Sequence, residues 1–136
     1  MTDDEAETRT VLIEREIACP PERIWRALTR PHLIAEWLMA NDFAPVEGRD
    51  FTFTADWGAV ECRVLEIEPN RMLSYSWAAM GLESVVTWTL APSAAGTRLR
   101  LEHSGFPAEL RQAYQGAKLG WRKFLDSLEQ LLARAE

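Results

Sequence analysis

Histidine and cysteine are scarce in this chain, two of each in 136 residues, and His32, His103, Cys19 and Cys62 show no tight spacing among them. A structural zinc site needs three or four such ligands converging, so no metal is expected. G-x-S-x-G, a glycine-rich phosphate loop and a dinucleotide fingerprint are all absent, and with them go the usual sequence marks of serine hydrolases, nucleotide binders and nicotinamide enzymes. No cofactor is expected.

Basic residues are the minority. Fifteen Lys and Arg against 21 Asp and Glu leave a formal net charge of -6, which argues against nucleic acid and against an anionic membrane surface as partners. No apolar run reaches the roughly 18 residues of a membrane span, and Met1 to Thr10 is acidic where a signal peptide would be basic and then apolar. A cytoplasmic location follows as the expectation, with Cys19 and Cys62 as reduced thiols.

Tryptophan, in contrast, is plentiful: six in 136 residues, within an ordinary hydrophobic fraction of 47%. Some must be core, yet a surplus of amphipathic rings also suits the wall of a cavity that handles mixed polar and apolar ligands. The length fits one domain with a real core and is too short for two.

The clearest periodic stretch is the last one. From Glu109 to Ala135, Leu110, Tyr114, Ala117, Trp121, Phe124, Leu128 and Leu131 recur at steps of four and three, which predicts an amphipathic helix roughly 40 Å long. Gly116 and Gly120 interrupt it one turn apart, each costing about 1 kcal/mol relative to alanine. Two readings stay open: close approach of the helix backbone to a sheet, or room left for a ligand.

Ahead of that helix, Thr2 to Thr8 is polar, acidic and unpatterned, and the domain boundaries are set at residues 1–9 for a disordered tail and 10–136 for a single domain. Thr10 to Ala18 alternates as a first strand, with Arg15 on its apolar face, either snorkelling to the sheet edge or placing a cation at a cavity mouth. Cys19-Pro20-Pro21 ends it, and two short helices follow, one through Leu28 and one from His32 to Met39. Five further runs read as strands: around Phe51 and Phe53; from Val60 to Ile67, with a phase change near Leu65 that predicts a bulge; through Tyr75 and Trp77; through Val86 and Trp88; and through Leu99, Leu101 and His103. The sum is an α+β domain with six antiparallel strands around one helix.

At this point the residues resemble a known family. Glu16 to Leu38, EIACPPERIWRALTRPHLIAEWL, looks like the opening signature of proteins similar to the C-terminal domain of the activator of Hsp90 ATPase. LEHSGF at Leu101 to Phe106, and Gly120-Trp121 with Leu125 and Leu128, resemble its close. The resemblance runs from near Thr10 to Leu132, about nine tenths of the chain. It implies a helix-grip, START-like fold in which a curved six-stranded sheet holds the C-terminal helix around an internal cavity, with two short helices between strands 1 and 2. Arg30 departs from the family, which usually has an acidic or small polar cap there, and so does Cys19, which replaces a usual alanine. The family name suggests a stress-response role, but the match is to one domain of the co-chaperone, so an Hsp90 contact is not expected.

Binding of a small apolar or amphipathic ligand inside that cavity is the function expected. Its wall is expected to draw on Trp37, Phe51, Phe53, Tyr75, Trp77, Trp88, His103, Ala117, Gly120 and Trp121. His103 reads either as a hydrogen-bonded histidine that holds the approach to Phe106 or as a polar contact or weak general base. Glu61 and Arg63 share one strand face, as a solvated pair or as a buried one. No catalytic residue is assigned. The alternatives are an enzyme of the same fold, cyclase- or hydrolase-like, using His103 or a cavity acid, and an Hsp90-related co-chaperone or protein-interaction module; the oligomeric state is open, a homodimer included.

Overall fold

Strand-forming alternation and helix-forming periodicity settle into the order β1 (Thr8–Ile17), α1 (Pro21–Thr29), α2 (Pro31–Trp37), β2 (Ala40–Asn41), β3 (Asp50–Ala55), β4 (Gly58–Glu68), β5 (Met72–Ala79), β6 (Leu82–Ser93), β7 (Gly96–Pro107) and α3 (Arg111–Arg134). The structure, a computed structural model, describes residues 8–79 and 81–134. Most of the acidic tail assigned to residues 1–9 therefore lies outside the described residues, while Thr8 and Arg9 already belong to β1.

All seven strands form one antiparallel sheet in the order β1-β7-β6-β5-β4-β3-β2. The sequence predicts six. The seventh is β2, a two-residue edge that pairs Ala40 with Thr54 and Asn41 with Phe53; two residues carry no alternation from which a strand could be recognised. The phase change in β4 is a true irregularity: register shifts between Val64 and Glu66, and Leu65 is left exposed.

Gly96 shows why the sheet closes as it does. It turns β6 into β7 at φ 145, and a Cβ there would stand 2.5 Å from the Ile17 carbonyl oxygen and 2.6 Å from the Cys19 nitrogen. Only glycine lets that hairpin lie against the end of β1. Beside it, buried Thr97 donates its hydroxyl to the Cys19 carbonyl at 2.7 Å. Cys19 and Cys62 are both free and buried.

The inner sheet face and the helices share one core. The second half of α3 contributes Trp121, Leu125, Leu128, Leu131 and Leu132, all buried, each worth on the order of 1.5 to 3 kcal/mol. Arg15, on the edge strand β1, fixes that half of α3 to the sheet by pairing with Asp126 at 2.9 Å and Glu129 at 2.8 Å, and it is not among the residues that line the cleft described below. The Glu129 carboxylate holds its guanidinium above its ordinary pKa. Arg23 donates to the Leu132 carbonyl, and Arg134 pairs with Glu36. Trp37 donates its indole N–H to the Ala27 carbonyl at 2.8 Å, tying α2 to α1.

Candidate functional site

Period-two alternation on β7 turns Leu99, Leu101 and His103 to the inner face, where all three are buried. A regular strand would then send Phe106 outward. Gly105, at φ 102, is the extra residue between the pairs Thr10 with Ser104 and Arg9 with Phe106. The bulge resets the phase, and Phe106 is buried beside His103 with ring centroids 4.6 Å apart.

His103 stands at the centre of a directed chain of hydrogen bonds. An indole N–H can only donate. The Trp121 Nε1–H donates to His103 Nδ1 at 2.9 Å, so Nδ1 is bare and the proton sits on Nε2, which donates to Ser84 Oγ at 2.8 Å. Ser84 in turn donates to the Trp77 carbonyl at 3.0 Å. Burial pushes the imidazole pKa down to about 4, because the charged form would lose water and find no partner. Both ring nitrogens are engaged, so no lone pair is left to take a substrate proton. His103 holds in place the two tryptophans on either side of it, 5.4 Å from Trp77 and 5.9 Å from Trp121 between ring centroids.

Above this cluster the first half of α3 meets the sheet loosely, with Tyr114 against Phe106 at 5.8 Å between ring centroids and beneath the Arg9 guanidinium. Between Arg111 and Gly120 no residue is buried, and Leu119 is 61% exposed. Beneath it lies a cleft of about 620 Å³. Its sheet side is Trp77, Ala79, Leu82, His103 and Phe106, and its helix side is Ala113, Gly116, Ala117, Gly120, Trp121 and Phe124. Met39, Trp57 and Leu110 complete it, the last two 54% and 40% exposed. Among the described residues no charged, hydroxyl or amide side chain lines it. A Cβ placed on Gly116 or Gly120 would meet nothing within 4 Å, so close backbone approach is not what these glycines serve; they open the helix wall.

The remaining predicted aromatics are packed against one another. Trp37 meets Trp88 edge-on at 5.7 Å, Phe51 meets Phe53 and Tyr75 at 5.3 Å each, and Trp88 donates its N–H to the Tyr75 hydroxyl at 3.0 Å. Burial raises the Tyr75 phenol and pushes the Cys62 thiol up to about 12, so both are neutral and neither is an activated nucleophile. Among the described residues no three His, Cys, Asp or Glu side chains gather to hold a metal ion, and no helix is long and apolar enough to cross a membrane.

This arrangement, a long helix laid loosely over an aromatic sheet face, has known relatives. The model of a family described as activator of Hsp90 ATPase homolog 1-like protein matches residues 18–133. The chain belongs to that family. Among solved structures of similar proteins, MLL2253 from Mesorhizobium loti is 54% identical, with 94% of this chain and 99% of that one covered and a TM-score of 0.91. CalU16 from Micromonospora echinospora is 29% identical over 94% of this chain and 78% of its own, with a TM-score of 0.81. DynU16, a protein from the dynemicin biosynthetic locus, shares the fold at 24% identity and a TM-score of 0.84, over 92% of this chain and 47% of that one. No curated protein sequence matches.

Within this family member the cleft brings together five of the ten expected residues: Trp77, His103, Ala117, Gly120 and Trp121. Trp37, Phe51, Phe53, Tyr75 and Trp88 do not line it; they fill the core below. Inward alternation cannot tell one from the other, because a ring facing inward can meet another ring or empty space. Phe106 was hidden behind the bulge at Gly105, for which the Ser-Gly before it is the one available signal. Met39, Trp57, Ala79, Leu82, Leu110, Ala113 and Phe124 were likewise not among the expected residues: Leu110 and Phe124 stand on the apolar stripe of the helix, but a stripe does not say which of its members meet open space. Arg63 does stand exposed on the outer face, but its partner is Asp50 at 2.6 Å, directly across from it in the β3–β4 ladder.

Proposed function

We propose that this chain is a helix-grip protein that binds a small apolar or amphipathic molecule in the cleft between the first half of α3 and the sheet, as a cytoplasmic protein without catalytic activity. One observation carries the reading: about 620 Å³ of space lined, among the described residues, by apolar side chains and one histidine. That volume lies within the range of ligand sites, roughly 300 to 1,000 Å³. An enzyme of this fold would need two or more titratable groups facing the cleft; among the described residues His103 is the single one, and its nitrogens are engaged. The test is a titration with amphipathic aromatics and long-chain alcohols, following tryptophan emission and melting temperature. Ligand at 100 times its Kd should stabilise the fold by about 2.7 kcal/mol. If no probe moves either signal, the cleft is not a ligand site.

A further inference from the structure

From the polar atoms that remain at this cleft, and resting on the ligand-binding reading above, we infer that its ligand is an uncharged aromatic molecule whose polar groups are hydrogen-bond acceptors. Three indoles line the cleft, those of Trp57, Trp77 and Trp121. Among the described residues the Trp121 N–H alone of these is engaged, on His103 Nδ1. Among the described residues the N–H groups of Trp57 and Trp77 have no hydrogen-bond partner; Trp57 is 54% exposed, and the half-buried Trp77 leaves no N–H atom sealed from solvent without a partner. The acceptor side is the reverse. Among the described residues the one strong side-chain acceptor on the lining, His103 Nδ1, is occupied by Trp121, and Nε2 carries the proton that goes to Ser84.

The residues that line the cleft therefore carry unpartnered neutral donors and ring faces. A ligand hydroxyl or amine entering it would leave water and find no side-chain acceptor, which is unfavourable. A carboxylate could accept from an indole, but it would bring a full charge into an apolar wall without a cation, in a chain whose formal net charge is already -6. A carbonyl, ether or quinone oxygen on a flat ring system meets neither obstacle. Its ring can stack or meet edge-on the indoles of Trp77 and Trp121, whose centroids are 5.3 Å apart.

The test uses three probes built on one ring system: 2-acetonaphthone, 2-ethylnaphthalene and 2-naphthoate, titrated by calorimetry at pH 7. The ketone should bind about 2- to 10-fold more tightly than the ethyl compound, the range of one net hydrogen bond, and at least about tenfold more tightly than the carboxylate. Replacing both donors, Trp57→Phe with Trp77→Phe, should weaken both neutral probes through the smaller rings while bringing their affinities to within about twofold of each other, and the binding of 2-ethylnaphthalene that remains reports that the cleft is intact. Trp57→Phe alone, at an exposed position, should remove part of that advantage if the double variant does not fold. Naphthoate binding as tightly as the ketone, or a ketone advantage that survives the loss of the donors, overturns this inference while the ligand-binding reading stands. Failure of all three probes to bind removes that reading, and this one with it.

Discussion

Gly116 and Gly120 offer the most direct test of whether the cleft is space or an artefact of loose packing. They are the sixth and tenth residues of α3 (Arg111–Arg134), well inside the helix, where glycine costs about 0.8 to 1.0 kcal/mol relative to alanine. A Cβ on either meets nothing within 4 Å, so no overpacking opposes that gain. Gly120→Ala and Gly116→Ala should each stabilise the protein by about 0.5 to 1 kcal/mol. For a chain of this length that is about 2 to 5 °C in Tm. The same methyl groups project into a wall of the cleft, and a bound molecule that used the space should lose about 1 kcal/mol or more, a fivefold weakening at least. Equilibrium urea unfolding gives the first quantity and probe titration the second. Destabilisation of both variants by more than about 1 kcal/mol would mean that α3 packs closely on its neighbours at the two glycines in solution, and the argument for a cleft there would fail.

Three further outcomes follow from other sites. Because burial takes the His103 pKa from 6.5 to about 4, the unfolded chain binds a proton below pH 6.5 that the folded one refuses; His103 should account for a loss of about 3 kcal/mol as pH falls from 6.5 to 4. His103→Gln, less stable at pH 7 through the loss of the Trp121 and Ser84 contacts, should show a shallower fall in urea-derived stability over that interval; an unchanged slope would contradict the assignment. Gly96→Ala should destabilise by about 2 to 5 kcal/mol in thermal unfolding, from the clash with Ile17 and Cys19 and from a left-handed backbone, and a neutral result would place the hairpin elsewhere. Arg30 caps α2 without a side-chain hydrogen bond, so Arg30→Ser should raise stability by about 0.5 to 1 kcal/mol, and an unchanged urea midpoint would show that this helix end needs no cap.

The order of elements was readable because each long element announces itself locally. The stripe from Tyr114 to Leu131 and the alternation through Tyr75, Trp77 and Trp88 state their periods within a dozen residues, and the phase change at Leu65 betrays a bulge. The glycines marked the helix stretch that meets the sheet loosely, although the residues left two readings open until the third dimension removed one. What stayed hidden depends on contacts far apart in sequence. That Arg15 answers to Asp126 and Glu129, that Trp121 occupies the one bare nitrogen of His103, and that five aromatics fill the core while Trp77 and Trp121, packed on them, also line the cleft are matters of packing. No local pattern carries them.

The pairing of β1 with β7 has a consequence for how the protein is made. Ile17 lies opposite Thr97, and Thr8 opposite Pro107, so β1 lacks its sheet partner until β7 has emerged from the ribosome. At about 5 to 20 residues per second the roughly 80 residues between those partners take on the order of 4 to 16 s to synthesise. Throughout that interval Val11, Ile13 and Ile17 have no sheet to join, and contacts of such long range form late in any case. Nascent chains halted before Gly96 should accordingly be the species most in need of a holding chaperone, and those extended past Leu132 the first able to do without one.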